Sequence, residues 1–453
     1  AAGNLIKKPG KDATLRADID YAFLKTEYDY SDSRAYFDGN TDVVIDQLST
    51  PETRSHKPSL SVEYKLDKDD VYLTNLFSAK GSFTTDLIGV STPSKDVKEQ
   101  EQLKNINLRD YLDISWKRGS MRWYSTTAFD FNSSPEGYMD ISESHPSEST
   151  DKDGADHLLQ DSRSRAFSIK ECLQTMFEIK RSRVFVPFDI SYTDSRIRTR
   201  LSYQDSPYHH AAERGASASG IDGSRNDLDG KTLTAGLSPE YSYTSTYDRF
   251  TIRASLPVSL KHIDWNNTGT HSSSAKGTHL LLAPNIYLNY KFSAKSTVRM
   301  TASYGNAIGD LLDMLTSPVM SDYMSVRRHS GLLSKRNTFN ANLHYDFKLP
   351  LSFWFVNADA SYTHTRENLI SRQDVGTGLI ETSDSILPHG SDVVSGSLGV
   401  SKNIRSINTK ISLKGGWSAS RNRIDQNGQT VAYRGDNLYM RPGISTRPLD
   451  WLE

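Results

Sequence analysis

The chain has 453 residues, 36% hydrophobic, 24% charged and 10% aromatic. No stretch approaches the roughly 18 to 20 apolar residues of a spanning helix, which excludes a helical membrane protein. Its 54 Lys and Arg nearly cancel 55 Asp and Glu, so no net field draws it to nucleic acid, and a single cysteine, Cys172, excludes an internal disulfide.

Length alone suggests about three domains, a prior that large all-β chains break. Residues 14–23 place Leu15, Ala17, Ile19, Tyr21 and Phe23 in one phase and Arg16, Asp18 and Asp20 in the other. That is the period of two of a strand with one apolar face. The alternation returns in Leu60/Val62/Tyr64/Leu66, in Phe167/Ile169/Leu173/Phe177/Ile179 and in Val184/Val186/Phe188/Ile190/Tyr192. It continues through Phe250/Ile252/Ala254/Leu256/Val258/Leu260, Ile286/Leu288/Tyr290/Phe292, Trp354/Val356/Ala358/Ala360/Tyr362 and Ile411/Leu413/Trp417/Ala419. Helical spacing occurs near Ile308 to Met314, where Ile308, Leu311, Leu312 and Leu315 form a short apolar face inside a loop.

The connections fall into two alternating sets. One is tight, as at Asp67–Asp70, Lys117–Ser120, Lys180–Arg183, Ser245–Asp248, Ser293–Ser296 and Asn403–Ser406, and suits hairpin turns. The other predicts long polar loops near 29–57, 85–106, 132–162, 204–230, 264–277, 305–335, 367–390 and 424–433. Short turns at one end and long loops at the other, between about sixteen amphipathic strands, predict a large antiparallel transmembrane β-barrel. The turns are then periplasmic and the loops extracellular. A soluble sandwich would not segregate its loops by end. Trp116, Trp123, Trp354, Tyr64 and Tyr72 beside short turns suggest an interfacial girdle.

Gly305-Asn-Ala-Ile-Gly-Asp-Leu-Leu-Asp-Met-Leu-Thr-Ser-Pro318, with the strand Thr338-Phe-Asn-Ala-Asn-Leu-His-Tyr-Asp-Phe347 after it, resembles a recurring segment of TonB-dependent-receptor-type outer-membrane barrels of Bacteroidetes. Ala358 to Ile370 is similar to the strand that follows. The resemblance implies a plugged, 22-stranded importer in the outer membrane of a Gram-negative bacterium. The barrel implies outer-membrane lipid as a partner, and the resemblance adds a plug domain, a TonB-type energy transducer, a surface lipoprotein and a small-molecule or oligomeric nutrient. Residues 1–13 are too few for a plug, and Pro448–Glu453 lacks a terminal aromatic. The expectation is a single barrel domain over 1–453 that lacks the N-terminal plug and some strands, beginning in a periplasmic turn. A passive porin and a scaffold or adhesin barrel are the alternatives.

No Walker loop, His-Glu-x-x-His or Gly-x-Ser-x-Gly motif is present, so no enzyme, cofactor or metal site is expected. His209, His210 and Glu213, and His145 with Glu143 and Glu148, lack the spacing of a metal site, and Asp140, Asp151, Asp153 and Asp156 lack an EF-hand pattern. Expected lumen-facing contacts are Arg16, Asp18, Asp20, Lys170, Glu178 and Arg253, while Leu256, Val258 and Leu288 belong to the lipid phase.

Overall fold

The computed structural model describes residues 2–37, 42–91, 96–118, 121–144, 156–204, 223–322, 325–375 and 380–446. Among them no helix is long and apolar enough to cross a membrane, and every strand joins one 23-stranded sheet. The wall starts with β1 (Ala2–Lys7) paired to β2 (Ala13–Glu27), which β3 (Tyr30–Phe37) prolongs along β4 (Asp42–Lys68). It continues, each strand antiparallel to the last, through β5 (Val71–Ser91), β6 (Asp96–Arg118), β7 (Met121–Ser144), β8 (Asp156–Ile179) and β9 (Ser182–Gln204).

Three passes then follow, each broken once: β10 (Arg225–Leu237) with β11 (Glu240–Thr244), β12 (Phe250–Ser255) with β13 (Val258–Asn267), and β14 (Ser273–Leu282) with β15 (Asn285–Ser293). Next comes β16 (Ser296–Ile308), and then a segment carrying the small hairpin β17 (Val319–Asp322) and β18 (Ser325–Arg328). The wall resumes in β19 (Lys335–Leu349), β20 (Trp354–Val375), β21 (Ile380–Ile404), β22 (Thr409–Gln426) and β23 (Gln429–Thr446). β19 pairs with β16 across the segment that separates them. Among the described residues β1 pairs only with β2, and β23 only with β22.

Counting each of four broken passes once and setting aside β17 and β18, the 23 strands make seventeen passes, one more than the sixteen expected. The extra one is β1, in a stretch expected to be a turn. Its Leu5 and Ile6 are adjacent, so they fall on opposite faces and leave no alternating phase to detect.

The three breaks fall at Ser238-Pro239, Leu256-Pro257 and Ala283-Pro284. In each, and at Pro187 in β9, the proline carbonyl accepts from the next pass: Pro187 O from Ser238 N at 2.9 Å, Pro239 O from Leu256 N at 3.0 Å, Pro257 O from Ala283 N at 3.0 Å and Pro284 O from Tyr304 N at 3.0 Å. A proline returns no N–H, so four neighbouring junctions each lose one ladder bond along a single diagonal.

Register decides the faces, because directly opposed residues share one. Leu256, Leu260, Leu280 and Leu398 point to one face and are 50%, 52%, 53% and 53% exposed. In a soluble fold such a row would form the core. On a barrel it meets lipid. Trp116 and Trp123 are directly opposed on that outer face near a short turn, their rings stacked 6.3 Å apart, and Tyr64 and Trp354 share it. Tyr72 lies opposite Asp67 on the inner face, so it does not belong to this girdle.

Most expected long loops are ladder. Residues 42–68 form one strand, and residues 424–433 hold a two-residue turn at Asn427-Gly428 with φ of 50° and 76°. Beyond the apolar band both faces of a strand are polar, so alternation disappears while backbone pairing persists.

Candidate functional site

The long connection between β16 and β19 is built into the barrel. At its base Gly309 N donates to Ser334 O at 2.8 Å, closing the segment like a purse. Asp310 caps a 3-10 turn at Leu311–Met314, where a longer helical face was expected. Its carboxylate accepts from Leu312 N, and Asp313 returns the favour by accepting from Asp310 N at 3.2 Å. Asp313 also accepts from Ser334 Oγ at 2.7 Å, joining the turn to the far end of the segment.

Beyond the turn, Met314 and Leu315 bury against Leu228, Ile263 and Trp265 of β10 and β13. Further on, Met320 and Val326 pack on Val90, Val97, Met139, Ile141 and Leu201 of the wall. These two clusters hold nearly all of the fully buried apolar side chains among the described residues, so the core lies between the inner face and this segment.

Three side-chain amides of the wall grip its backbone. Gln160 accepts from Met320 N at 2.7 Å and donates to Met320 O at 3.0 Å, as an adjacent strand would. Asn226 does the same for Ser317, at 3.0 and 3.1 Å, and also donates to Thr199. Asn267 donates to Met314 O at 2.8 Å. On the other side, Ser325–Arg328 pairs in parallel with Ile380–Ser383 of β21, and His329 Nδ1 lies 2.8 Å from Asp384. The segment is thus tied from β8 across to β21.

A cavity of about 990 Å³ lies beside the start of the segment, with Leu311 and Leu312 on one side. Facing them is a single register row, Asp20, Ser59, Lys80, Asn107, Asn132, Ala166 and Ser195, seven neighbouring strands contributing one residue each. The row continues to Gly230, where a β-carbon would overlap the Leu311 side-chain end. Such a surface offers hydroxyl, amide and two opposite charges to a polar solute.

All six residues expected to face the lumen share the face that carries the segment, as alternation from this row requires. They are not gathered. Asp20 lines the cavity, Arg16 pairs with Asp18 at 2.8 Å, and Glu178 meets Arg183 at 3.0 Å beside a short turn. Arg253 lies over the Tyr287 ring, 5.8 Å from its centroid, and Lys170 is exposed. The gripping amides, Gln160, Asn226 and Asn267, were missed, since no local pattern sets them apart from other polar strand residues. The side chains of His145, Glu143, Glu148, Asp151, Asp153, Asp156, His209, His210 and Glu213 lie outside the described residues, as does the stretch 448–453. Among the described residues no group of three or more His, Cys, Asp or Glu is placed to hold a metal.

The chain is similar to the ferric yersiniabactin uptake receptor FyuA of Yersinia pestis, with a TM-score of 0.52 at 11% identity over 99% of this chain and 70% of that one. The fold is that of a large outer-membrane β-barrel. Similarity also extends to the copper transporter OprC (TM-score 0.48, 10% identity, 92% of this chain and 63% of that one) and to the outer membrane transporter YddB of Escherichia coli (0.46, 12%, 95% and 61%). The chain spans less than two thirds of the length of these last two. No family model and no curated protein matches it.

Proposed function

We propose that the chain is the transport wall of an outer-membrane nutrient importer of the TonB-dependent-receptor type, completed by a plug and by further strands between β23 and β1. The observation that carries the reading is the inward segment: a polar lumen inside an apolar-clad wall is narrowed by a polypeptide tied to both sides. Among the described residues one edge each of β1 and β23 has no partner strand, which within hydrocarbon would be costly and supports additional strands in the assembled protein. In this reading Arg16, Asp18, Asp20, Lys170, Glu178 and Arg253 touch solvent, plug or passing substrate, and no residue acts as a catalyst. An inner-membrane transducer, a surface lipoprotein and a polar nutrient are the partners.

The test uses the full-length protein in a planar bilayer. An energised importer stays closed by itself and opens when the plug is deleted. Steady conductance of the intact protein points instead to a passive porin. A gene encoding no plug upstream of Ala1 sinks the importer reading.

A further inference from the structure

Beyond the apolar band, the outward faces of β8, β9 and β10 carry an unusual set of charges. On β9 the outward residues Val184, Val186, Phe188, Ile190 and Tyr192 give way to Asp194, Arg196, Arg198 and Arg200. Arg165 lies opposite Arg196 and Arg163 opposite Arg198 on one side. Arg200 lies opposite Arg225 on the other. Three aspartates complete the grid: Asp161 opposite Arg200, Asp227 opposite Arg198 and Asp229 opposite Arg196. Nine neighbouring outward positions therefore hold six arginines and three aspartates, with three cross-strand Arg–Arg pairs.

Like charges directly opposed on a sheet repel. Asp227 is shared among Arg198, Arg196 and Arg225 at 3.1, 3.3 and 3.2 Å, and Asp229 meets Arg196 at 3.2 Å. Among the described residues Arg163, Arg165 and Arg200 form no salt bridge, although the Arg163 charge is felt by Glu136 of the neighbouring β7, and all three are exposed. Every cation in the grid is an arginine, whose planar fork suits two phosphate oxygens at once. The lowest row, Arg165 with Arg196, sits one outward position beyond Phe167 and two beyond Tyr192.

We propose that this patch docks a phosphorylated lipid of the outer leaflet. Acyl chains lie along the apolar band, and the headgroup rises to the arginines. A phosphate at Arg165/Arg196 and a second at Arg163/Arg198 would be separated by two residues of strand, roughly 7 Å. Continuity with the band selects a lipid over a soluble phosphate, because only a lipid uses both surfaces. The inference rests on the outer-membrane reading above.

The test takes full-length protein extracted from outer membranes into detergent and measures binding by native mass spectrometry. The probes are a bis-phosphorylated diglucosamine glycolipid, the same lipid after dephosphorylation, and inorganic pyrophosphate. The phosphorylated lipid should bind about tenfold more tightly than its dephosphorylated form, and R163Q/R165Q should abolish that preference. R200Q, which removes an unpaired cation at the patch's outer edge, should weaken it partially. Equal binding of the two lipids, or an unchanged preference in R163Q/R165Q, overturns the proposal, and so does pyrophosphate competing as well as the lipid. Heat-modifiable migration of each variant checks folding. Folded outer-membrane protein that ignores phosphate removes the patch alone, whereas protein absent from the outer membrane removes the parent reading as well.

Discussion

Asn267 is fully buried: its carbonyl accepts from Asp227 N and Gly269 N, and its two N–H groups are shared among Asn226 Oδ1, Met314 O and Thr316 Oγ1. Leucine at this position would fit by volume and leave several partners unsatisfied, at a cost of about 1 to 3 kcal/mol. Asn267→Leu should therefore lower the unfolding midpoint in detergent and open residues 309–334 to proteolysis, while Asn266→Leu, on the outer face, should do neither. The two asparagines are adjacent in sequence and identical in type, which is why the anchor was not legible there. Gly230→Ala should displace Leu311 and cost about 1 to 3 kcal/mol, a loss that Leu311→Ala partly repairs in a double-mutant cycle. Asp227 behaves differently. Burial raises its pKa, but Arg198 and Arg196 more than offset this and hold the carboxyl below its usual 3.8. A depressed folded value means the stabilisation is complete above the ordinary carboxylate range and is lost as pH falls through the folded value. The protection factors of the β10 amides, corrected for the intrinsic pH dependence of exchange, should fall as the pH drops below about 3.8, and Asp227→Asn should show the lowered protection at every pH.

At the scale of elements, the apolar strands were legible because a lipid-facing residue recurs every second position, and the tight turns because they interrupt that rhythm. Ladder beyond the membrane was not, since pairing there is carried by backbone groups that leave no side-chain signature. The proline diagonal belongs to the same category: Pro187, Pro239, Pro257 and Pro284 are far apart in sequence and become neighbours only through register. Pro239→Ala would supply the missing donor to Leu256 O, a gain of about 0.5 to 1.5 kcal/mol. It would also free the unfolded chain, a loss of about 0.4 to 1 kcal/mol. The near-cancellation means the unfolding midpoint should barely move, while a new protected amide appears at position 239 in hydrogen exchange. A marked destabilisation would show instead that the wall needs the bend. The inward segment is separable from the wall, because Ile308 still opposes Lys335 at the head of the β16–β19 ladder. Replacing residues 310–333 by a short Gly-Ser linker should leave folding intact and raise the single-channel conductance of the barrel formed by residues 1–453.

The whole molecule inverts the usual relation between hydropathy and location. A negative mean hydropathy would suit a soluble protein, yet the described residues bury few apolar side chains and display Leu256, Leu260, Leu280 and Leu398 half exposed on one continuous face. Only that face, over a band about 25 Å tall, has to be apolar, so the average over lumen and extensions stays polar. The assignment of faces is therefore the molecule's central physical claim, and adjacent residues test it. Leu288 opposes Ile252 and Met300 on the outer face, whereas Asn289 opposes Thr251 and Arg299 on the inner one. Arginine at position 288 would carry its charge into hydrocarbon at a cost of about 2 to 4 kcal/mol near the midplane. At position 289 it would join Arg299 in water, where a surface repulsion of like charge is worth well under about 1 kcal/mol. Equilibrium unfolding of the barrel from lipid vesicles should consequently show Leu288→Arg strongly destabilised and Asn289→Arg nearly native. The reverse order would turn the wall inside out, since one residue of register moves every side chain to the other face.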